Sequence, residues 1–468
     1  MNYPFWNVPY VSGGGVIALI ATYHLLIALF AVGGGLYLPL AERKARREGR
    51  EDWLLVVKKH SKFFLILTSV FGAVSGVGIW FAIGLASPEG TSTLIHNFVF
   101  GWAIEYVFFI IELSTAAMYY YTWDKVDPKL HLRIGYIYAA SSWLTLAIIN
   151  GILTFMLTPG EAWLNAAGTG NEASVFWYAL FNPTYFPSLA LRTLICWNLA
   201  GIWALVTASQ IDGFKFPELK KEIITWSAKW LIPAFVLVPL CFVWYLSMVP
   251  ESSRQLLELG ISTIGQGTFT QVTRLVLITV MTSATIIALV YFVAVRNSRS
   301  FNLGWALSLV VLAFAATAAT EQAREMLRKP YVIGGFMYSN GIRTTEVEKF
   351  NREGYLTHSP LPLNQMAMGE PVERSVDALV ADGQRMFRGQ CGACHTEHGY
   401  RAMDRLLSNR DEAAITNSLN LLHEYNAEST YRKYMPPLVG TEAERTALAA
   451  YLRTLSKSPP TESVTQLH

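Results

Sequence analysis

Charge is scarce in this chain. Of its 468 residues only 15% are Asp, Glu, Lys or Arg, while 52% are hydrophobic and 13% aromatic, a balance too apolar for a soluble protein of this length. The net charge of +3 comes largely from a few short loops and carries no nucleic-acid signal. Cysteine is scarcer still, at four residues. Cys196 and Cys241 lie inside apolar runs and read as inert packing residues. Cys391 and Cys394 stand together, with no second Cys/His pair at zinc-finger distance, which argues against a structural zinc site. No basic residue precedes the first apolar run, and that run is too long for the core of a cleaved signal peptide.

What the chain has instead is apolar length. Runs able to cross a bilayer, which takes roughly 20 residues, occur near 15–41, 61–86, 96–122, 133–158, 188–209, 224–248, 268–296 and 301–322. Basic residues in short loops favour the cytoplasm. Arg43, Lys44, Arg46, Arg47, Arg50, Lys58, Lys59 and Lys62 follow the first run, and further basic residues follow the third, fifth and seventh. The loops 87–95 and 159–187 contain neither Lys nor Arg. Both termini are therefore expected outside, on a multi-pass protein of a bacterial inner membrane.

After the last run comes Cys391-Gly392-Ala393-Cys394-His395. Two thiols at this spacing can add to the two vinyl groups of heme while the adjacent imidazole reaches the iron, so the motif points to a covalent c-type heme. The bland alternative is a surface disulfide or half a metal site. A helix from Val380 into the motif, another opening at Thr441-Glu442 and running through Leu455, and the intervening Tyr434-Met435-Pro436-Pro437 resemble a class I cytochrome c. By that resemblance Met435 is the candidate sixth ligand; a packing role for Met435 and ligation by His398 or His423 remain open. Heme attachment of this type belongs to the oxidising outer face of the membrane, in agreement with the loop charges. The expected fold class is all-α: a polytopic membrane bundle of about eight helices, N-out and C-out, plus a small all-α cytochrome c domain. The expected boundaries are 1–330 for the membrane domain, 331–372 for a periplasmic linker, 373–460 for the cytochrome c domain and 461–468 for a tail.

Ionisable residues inside lipid are costly and therefore informative. His24 falls about 13 Å into the first run at 1.5 Å per residue, Glu105 lies at a similar depth in the third, and Glu112 follows seven residues later on the same helical face. Arg192, Arg274, Glu321, Arg324, Glu325 and Arg328 crowd the outer ends, and Asn150 joins them from the fourth run. Arg192, Arg274 and Arg328 admit two readings, pairing with Glu321 or Glu325 at the interface or binding heme propionates. For His24, Glu105 and Glu112 no nearby interface supplies an excuse, and imidazole with carboxylate can ligate iron or relay protons.

Over roughly residues 15–340 the chain resembles subunit I of the cytochrome bd quinol oxidases. The resemblance is carried by Ala21-Thr22-Tyr23-His24-Leu25-Leu26, Ala103-Ile104-Glu105, Asn150-Gly151, Asn182-Pro183 and Arg328-Lys329-Pro330-Tyr331, in the family's order. It implies that His24 and Glu105 ligate a noncovalent heme, of type b or d, and that Glu112 resembles a proton-channel glutamate standing one residue nearer to Glu105 than the family spacing. Glu105 and Glu112 are thus the candidate catalytic carboxylates, and His24, Glu105, His395 and Met435 the candidate iron ligands.

The chain also departs from that pattern. The family's histidine and methionine ligands of a low-spin heme b correspond to Arg192 and Val276, neither able to serve. The family's supporting glutamate of the eighth helix falls near Ala318, with Glu321 a turn away. A long quinol-binding loop is replaced by the stretch from Pro250 to Thr268. These departures imply a subunit that works beside a more complete bd-like subunit I, possibly with further small subunits, and reaches the quinol pool through that partner. Its electrons would pass between the partner's hemes and the outer c heme, with oxygen or a soluble or periplasmic cytochrome c as the other redox partner. A non-catalytic membrane anchor for an electron-transfer domain is the alternative.

Overall fold

The computed structural model describes residues 5–251, 253–254, 271–361, 363, 378–408, 410–426 and 429–456. Among them, eight helices are long and apolar enough to cross a membrane: α1 (Gly13–Arg47), α2 (Glu51–Ala86), α3 (Val99–Tyr121), α4 (Pro128–Phe155), α5 (Tyr185–Ser209), α6 (Pro217–Met248), α7 (Thr273–Val295) and α8 (Leu303–Arg328). Each corresponds to one of the expected runs. The helices overshoot the runs where polar residues are also helical: α1 carries its basic Arg43–Arg47 segment as continuing helix, and α6 begins with the amphipathic Pro217–Lys229. The chain divides into two compact units.

The larger unit comprises residues 21–78 and 95–327. Its centre is α5, whose apolar window is 67% buried, against 11% for α2 and α7. Close approach of α1 to α5 depends on Gly33, where a Cβ would stand 1.9 Å from the Cys196 carbonyl oxygen. The start of α4 is set by Asp127, whose carboxylate accepts from the backbone N–H groups of Lys129 and Leu130, with Pro128 in the first turn. Large apolar side chains such as Val74, Tyr106, Val243 and Met281 point outward, which in a bilayer costs nothing because lipid is the neighbour.

The α4 to α5 connection is held by two asparagines. Asn150 donates to the Tyr185 carbonyl at 3.0 Å and accepts from Ser188 Oγ at 2.7 Å. Asn182 donates to the carbonyls of Gly151, Ala179 and Leu180 at 3.0–3.2 Å. Gly151 admits this junction, since a Cβ there would meet Leu180 at 2.5 Å. The segments Asn150-Gly151 and Asn182-Pro183 therefore meet as one buried polar joint, and Asn150 spends its amide on backbone.

The smaller unit comprises residues 1–20, 79–94 and 328–468. It contains α9 (Ala378–Gln390), α10 (Glu412–Glu424) and α11 (Glu442–Ser456). A two-stranded antiparallel sheet pairs β1 (Tyr331–Ile333) with β2 (Met337–Tyr338). Residues 331–361, expected as a linker, carry short helices and strands and are folded. Ile342, Phe350 and Tyr355 are buried in one cluster with Met386, Phe387, Leu448 and Leu452. Their apolar positions are too widely spaced among polar and Pro residues to show a period, so only packing reveals them. Residues 364–377, the expected tail 461–468 and most of the short stretch after Pro250 lie outside the described residues.

Candidate heme sites

In the smaller unit, α9 delivers the CxxCH segment without a break. Cys391 N and Gly392 N donate to the Phe387 carbonyl at 2.8 and 2.9 Å, and Cys394 N and His395 N donate back to the Cys391 carbonyl at 3.0 and 2.9 Å. This tight turn puts both free thiols and the imidazole within five residues of one loop. His395 Nδ1 lies 3.1 Å from the Arg401 carbonyl oxygen. A carbonyl only accepts, so Nδ1 carries the hydrogen and Nε2 keeps its lone pair. Burial lowers the His395 pKa, which holds the ring in the neutral, ligating form. Burial, with the neighbouring Cys394, pushes the Cys391 thiol up to about 12.

The loop bearing Met435 is tied down on three sides. Tyr425 Oη donates to the Met435 carbonyl at 3.0 Å, His423 Nδ1 donates to the Leu438 carbonyl at 3.0 Å, and Gln390 exchanges two 2.9 Å bonds with Val439 N and O. The Met435 side chain itself is half-buried. Of its rivals, His398 is exposed and paired with Asp404 at 3.0 Å, and half-buried His423 serves the loop through Nδ1. Gln390 and Tyr425, which hold this loop, are residues that the motif reading did not single out. Gln390 was the legible one, as a polar residue directly before the first cysteine.

The N-terminal segment also closes on the motif within this unit. Gly14 N donates to the Ala393 carbonyl at 3.2 Å and Tyr400 N to the Tyr10 carbonyl at 2.6 Å. Lys329 Nζ stands 3.7 Å from Cys394 Sγ, and Arg328 is buried with Nη1 on the Val332 carbonyl at 3.1 Å.

In the larger unit, half-buried His24 projects from α1 with Nδ1 3.0 Å from Ser75 Oγ. Ser75 directs its own hydroxyl at the Phe71 carbonyl, 2.6 Å away, so its lone pair receives the Nδ1 hydrogen of His24. The free lone pair of that ring is therefore on Nε2, the arrangement an iron ligand needs. Gly76 leaves room beside the ring, since a Cβ there would come within 3.3 Å of His24 Cε1. Ser75 follows a π-helical turn at Leu67–Gly72, an irregularity common at functional sites. On α3, Glu105 and Glu112 are both half-buried, and Glu112 accepts from Tyr138 Oη at 3.1 Å.

Of the two readings open for Arg192, the structure displays the ion pair: Arg192 is buried with Nη2 3.6 Å from Glu321 Oε1, while Arg324 Nε donates to Glu321 Oε2 at 2.9 Å. Glu321 is thus occupied by two guanidinium groups. Arg274 is exposed on α7.

These geometries agree with three comparisons. Residues 16–250 match the sequence pattern of cytochrome bd terminal oxidase subunit I. The chain belongs to that family. Residues 380–456 match cytochrome c, so this bd-family member carries a cytochrome c domain at its C-terminal side. Among solved structures, the bd oxidase from Geobacillus thermodenitrificans is similar with a TM-score of 0.58 at 16% identity, over 69% of this chain and 88% of that one, a likeness of fold. No curated protein matches. This bd-family chain is a multi-pass membrane protein of heme-based respiratory electron transport that assembles with other subunits, and its cytochrome c domain implies heme c. The donor set of the CxxCH loop, two thiols and an imidazole with Nε2 free, fits that group.

Proposed function

We propose that this chain is a heme-bearing subunit of a bd-like respiratory complex that passes electrons between a quinol-oxidising partner and its own outer-face c heme. Cys391, Cys394, His395 and Met435 would hold a c heme, the thiols through thioether bonds and His395 through Nε2; His24 and Glu105 would hold a noncovalent heme of type b or d, for which Glu112 would handle protons. The hemes, when bound, supply one-electron transfer; the chain orients their ligands and excludes water around them. Arg192, Arg274 and Arg328 remain candidates for propionates, with Arg192 already neutralised by Glu321. The more complete bd-like subunit I carries the quinol chemistry, and oxygen or an external cytochrome c is the other redox partner. The basic loops support a periplasmic c domain.

The observation that carries this reading is the hydrogen bond from His24 to Ser75. An anchor serving only to tether a cytochrome has no use for a histidine inside a spanning helix with its tautomer set for ligation. Pyridine hemochrome analysis of the purified chain tests it. Heme c together with a noncovalent heme is expected; heme c alone overturns the His24 assignment and leaves the anchor. His24→Ala is expected to remove the noncovalent heme and leave heme c in place.

A further inference from the structure

Within the smaller unit, the β1–β2 hairpin bears on the loop of the candidate sixth ligand. The hairpin begins at Tyr331, directly after Lys329-Pro330 and the end of α8 at Arg328. Tyr331 of β1 and Tyr338 of β2 are cross-strand partners, and their rings stack with centroids 4.9 Å apart and planes 15° from parallel, a separation that aromatic pairs favour. Tyr338 is buried, and its backbone N–H donates to the Ile342 carbonyl at 2.8 Å. Ser339 N donates to the Pro330 carbonyl at 2.9 Å, and Ile342 packs in the cluster that holds Phe350 and Phe387. Backbone bonds and core packing thus fix the hairpin, and with it the Tyr338 ring.

Tyr338 meets Tyr425 edge to face, with ring centroids 6.1 Å apart and planes at 88°. Tyr425 closes α10 at φ 49°, a left-handed conformation that glycine usually supplies at this place and tyrosine seldom does. Its Oη lies 3.0 Å from the Met435 carbonyl and 3.3 Å from that of Arg432. Arg432 in turn sets its guanidinium 5.2 Å from the Tyr425 ring centre and its Nη1 3.2 Å from the Tyr425 carbonyl. Of the ties that hold this loop, the one from Tyr425 is made to Met435 itself, whereas His423 and Gln390 act further on, at Leu438 and Val439. The place of the Tyr425 ring therefore governs where Met435 stands.

We infer that Tyr338, backed by Tyr331, is a positioning residue for the axial ligation of the c heme: through Tyr425 it holds Met435 in the ligating position. The inference rests on the reading of Met435 as the sixth ligand. A thioether is a weak donor, so its hold on iron depends on how firmly the fold presents it, and methionine ligation keeps the potential of a c heme high. Tyr331 and Tyr338 both lie outside residues 380–456, the part of the chain that matches cytochrome c. The brace is therefore an addition to the cytochrome c pattern, supplied by the segment that leaves α8. The tyrosines make and break no bond in this role; they act on the position of the ligand alone.

The test uses the full chain with its hemes bound. Imidazole is titrated against the ferric c heme, and displacement of the methionine is followed by loss of the sulfur-to-iron charge-transfer band. Tyr338→Leu removes the ring that Tyr425 meets and is expected to lower the imidazole concentration for half displacement about two- to tenfold, the range set by the loss of one aromatic pair. Covalent heme content is expected to stay unchanged and the potential of the c heme to fall. Tyr338→Phe keeps the ring and is expected to titrate as the wild type does. If Tyr338→Leu loses covalent heme, Tyr331→Leu decides instead, since it leaves Tyr338 in its hairpin and removes only the ring stacked on it; a smaller decrease in the same direction is expected. Met435→Ala separates the two levels of the argument. If Met435→Ala keeps the band, the reading of Met435 fails and the brace with it. If Met435→Ala lacks the band while the deciding tyrosine variant needs the wild-type imidazole concentration, Met435 stands and this brace is overturned.

Discussion

Ser75 accepts a hydrogen bond from His24 Nδ1 at 3.0 Å while giving its own hydrogen to the Phe71 carbonyl at 2.6 Å. One hydroxyl thus decides which nitrogen of a membrane-buried imidazole is free. Partners of this kind typically alter metal affinity by about 10- to 100-fold when removed. Ser75→Ala is expected to lower occupancy of the noncovalent heme by that order, measured as the ratio of noncovalent heme to heme c in the purified chain, with heme c unaffected.

Cys391→Ala removes one of two thioether bonds while leaving His395 and its Arg401 partner in place. The expected product is a chain that retains heme at reduced yield, with the α-band shifted to the red because one vinyl group stays unsaturated. Replacing both cysteines is expected to abolish heme staining on a denaturing gel. Full covalent staining of the double variant would show that attachment lies elsewhere.

The sixth ligand is open to a direct comparison. Met435→Ala is expected to remove low-spin character and lower the potential of the c heme, whereas His423→Ala, which deletes only the tie to Leu438, is expected to keep the low-spin spectrum. The reverse outcome would transfer the ligand role to His423.

Gln390 is buried and makes both hydrogen bonds available from Val439. Gln390→Ala leaves a buried N–H and a buried carbonyl without their partner, which costs about 1–3 kcal/mol for each unsatisfied group. Thermal loss of the Soret signal in the full chain should come at lower temperature, with the covalent bonds intact.

Arg192→Gln distinguishes an ion pair from a propionate site. Breaking a buried pair by removing one partner costs about 3–5 kcal/mol, tempered here because Arg324 also holds Glu321. Lower heat stability with unchanged heme content is the expected result. A selective fall in noncovalent heme would assign Arg192 to a propionate.

Much of this architecture was legible from local patterns. Each of the eight apolar runs corresponds to a spanning helix because burial in lipid demands one continuous stretch of about 20 apolar residues, a requirement any window along the chain exposes. The CxxCH motif was equally plain because its chemistry is local, with all three groups within five residues. The packing of residues 331–361 was not legible for the opposite reason: Ile342, Phe350 and Tyr355 are isolated among polar neighbours and find their core only against α9 and α11.

The sequence by itself determined the membrane span count, the attachment motif and the candidate ligands, since composition, spacing and residue type are properties of short stretches. Tertiary structure alone decided which groups those ligands answer to. Ser75 lies 51 residues from His24, and Gln390 lies 49 from Val439. A hydrogen bond depends on distance and direction between atoms. No pattern along the chain specifies those until helices with their own rotations pack and bring the donors to their acceptors.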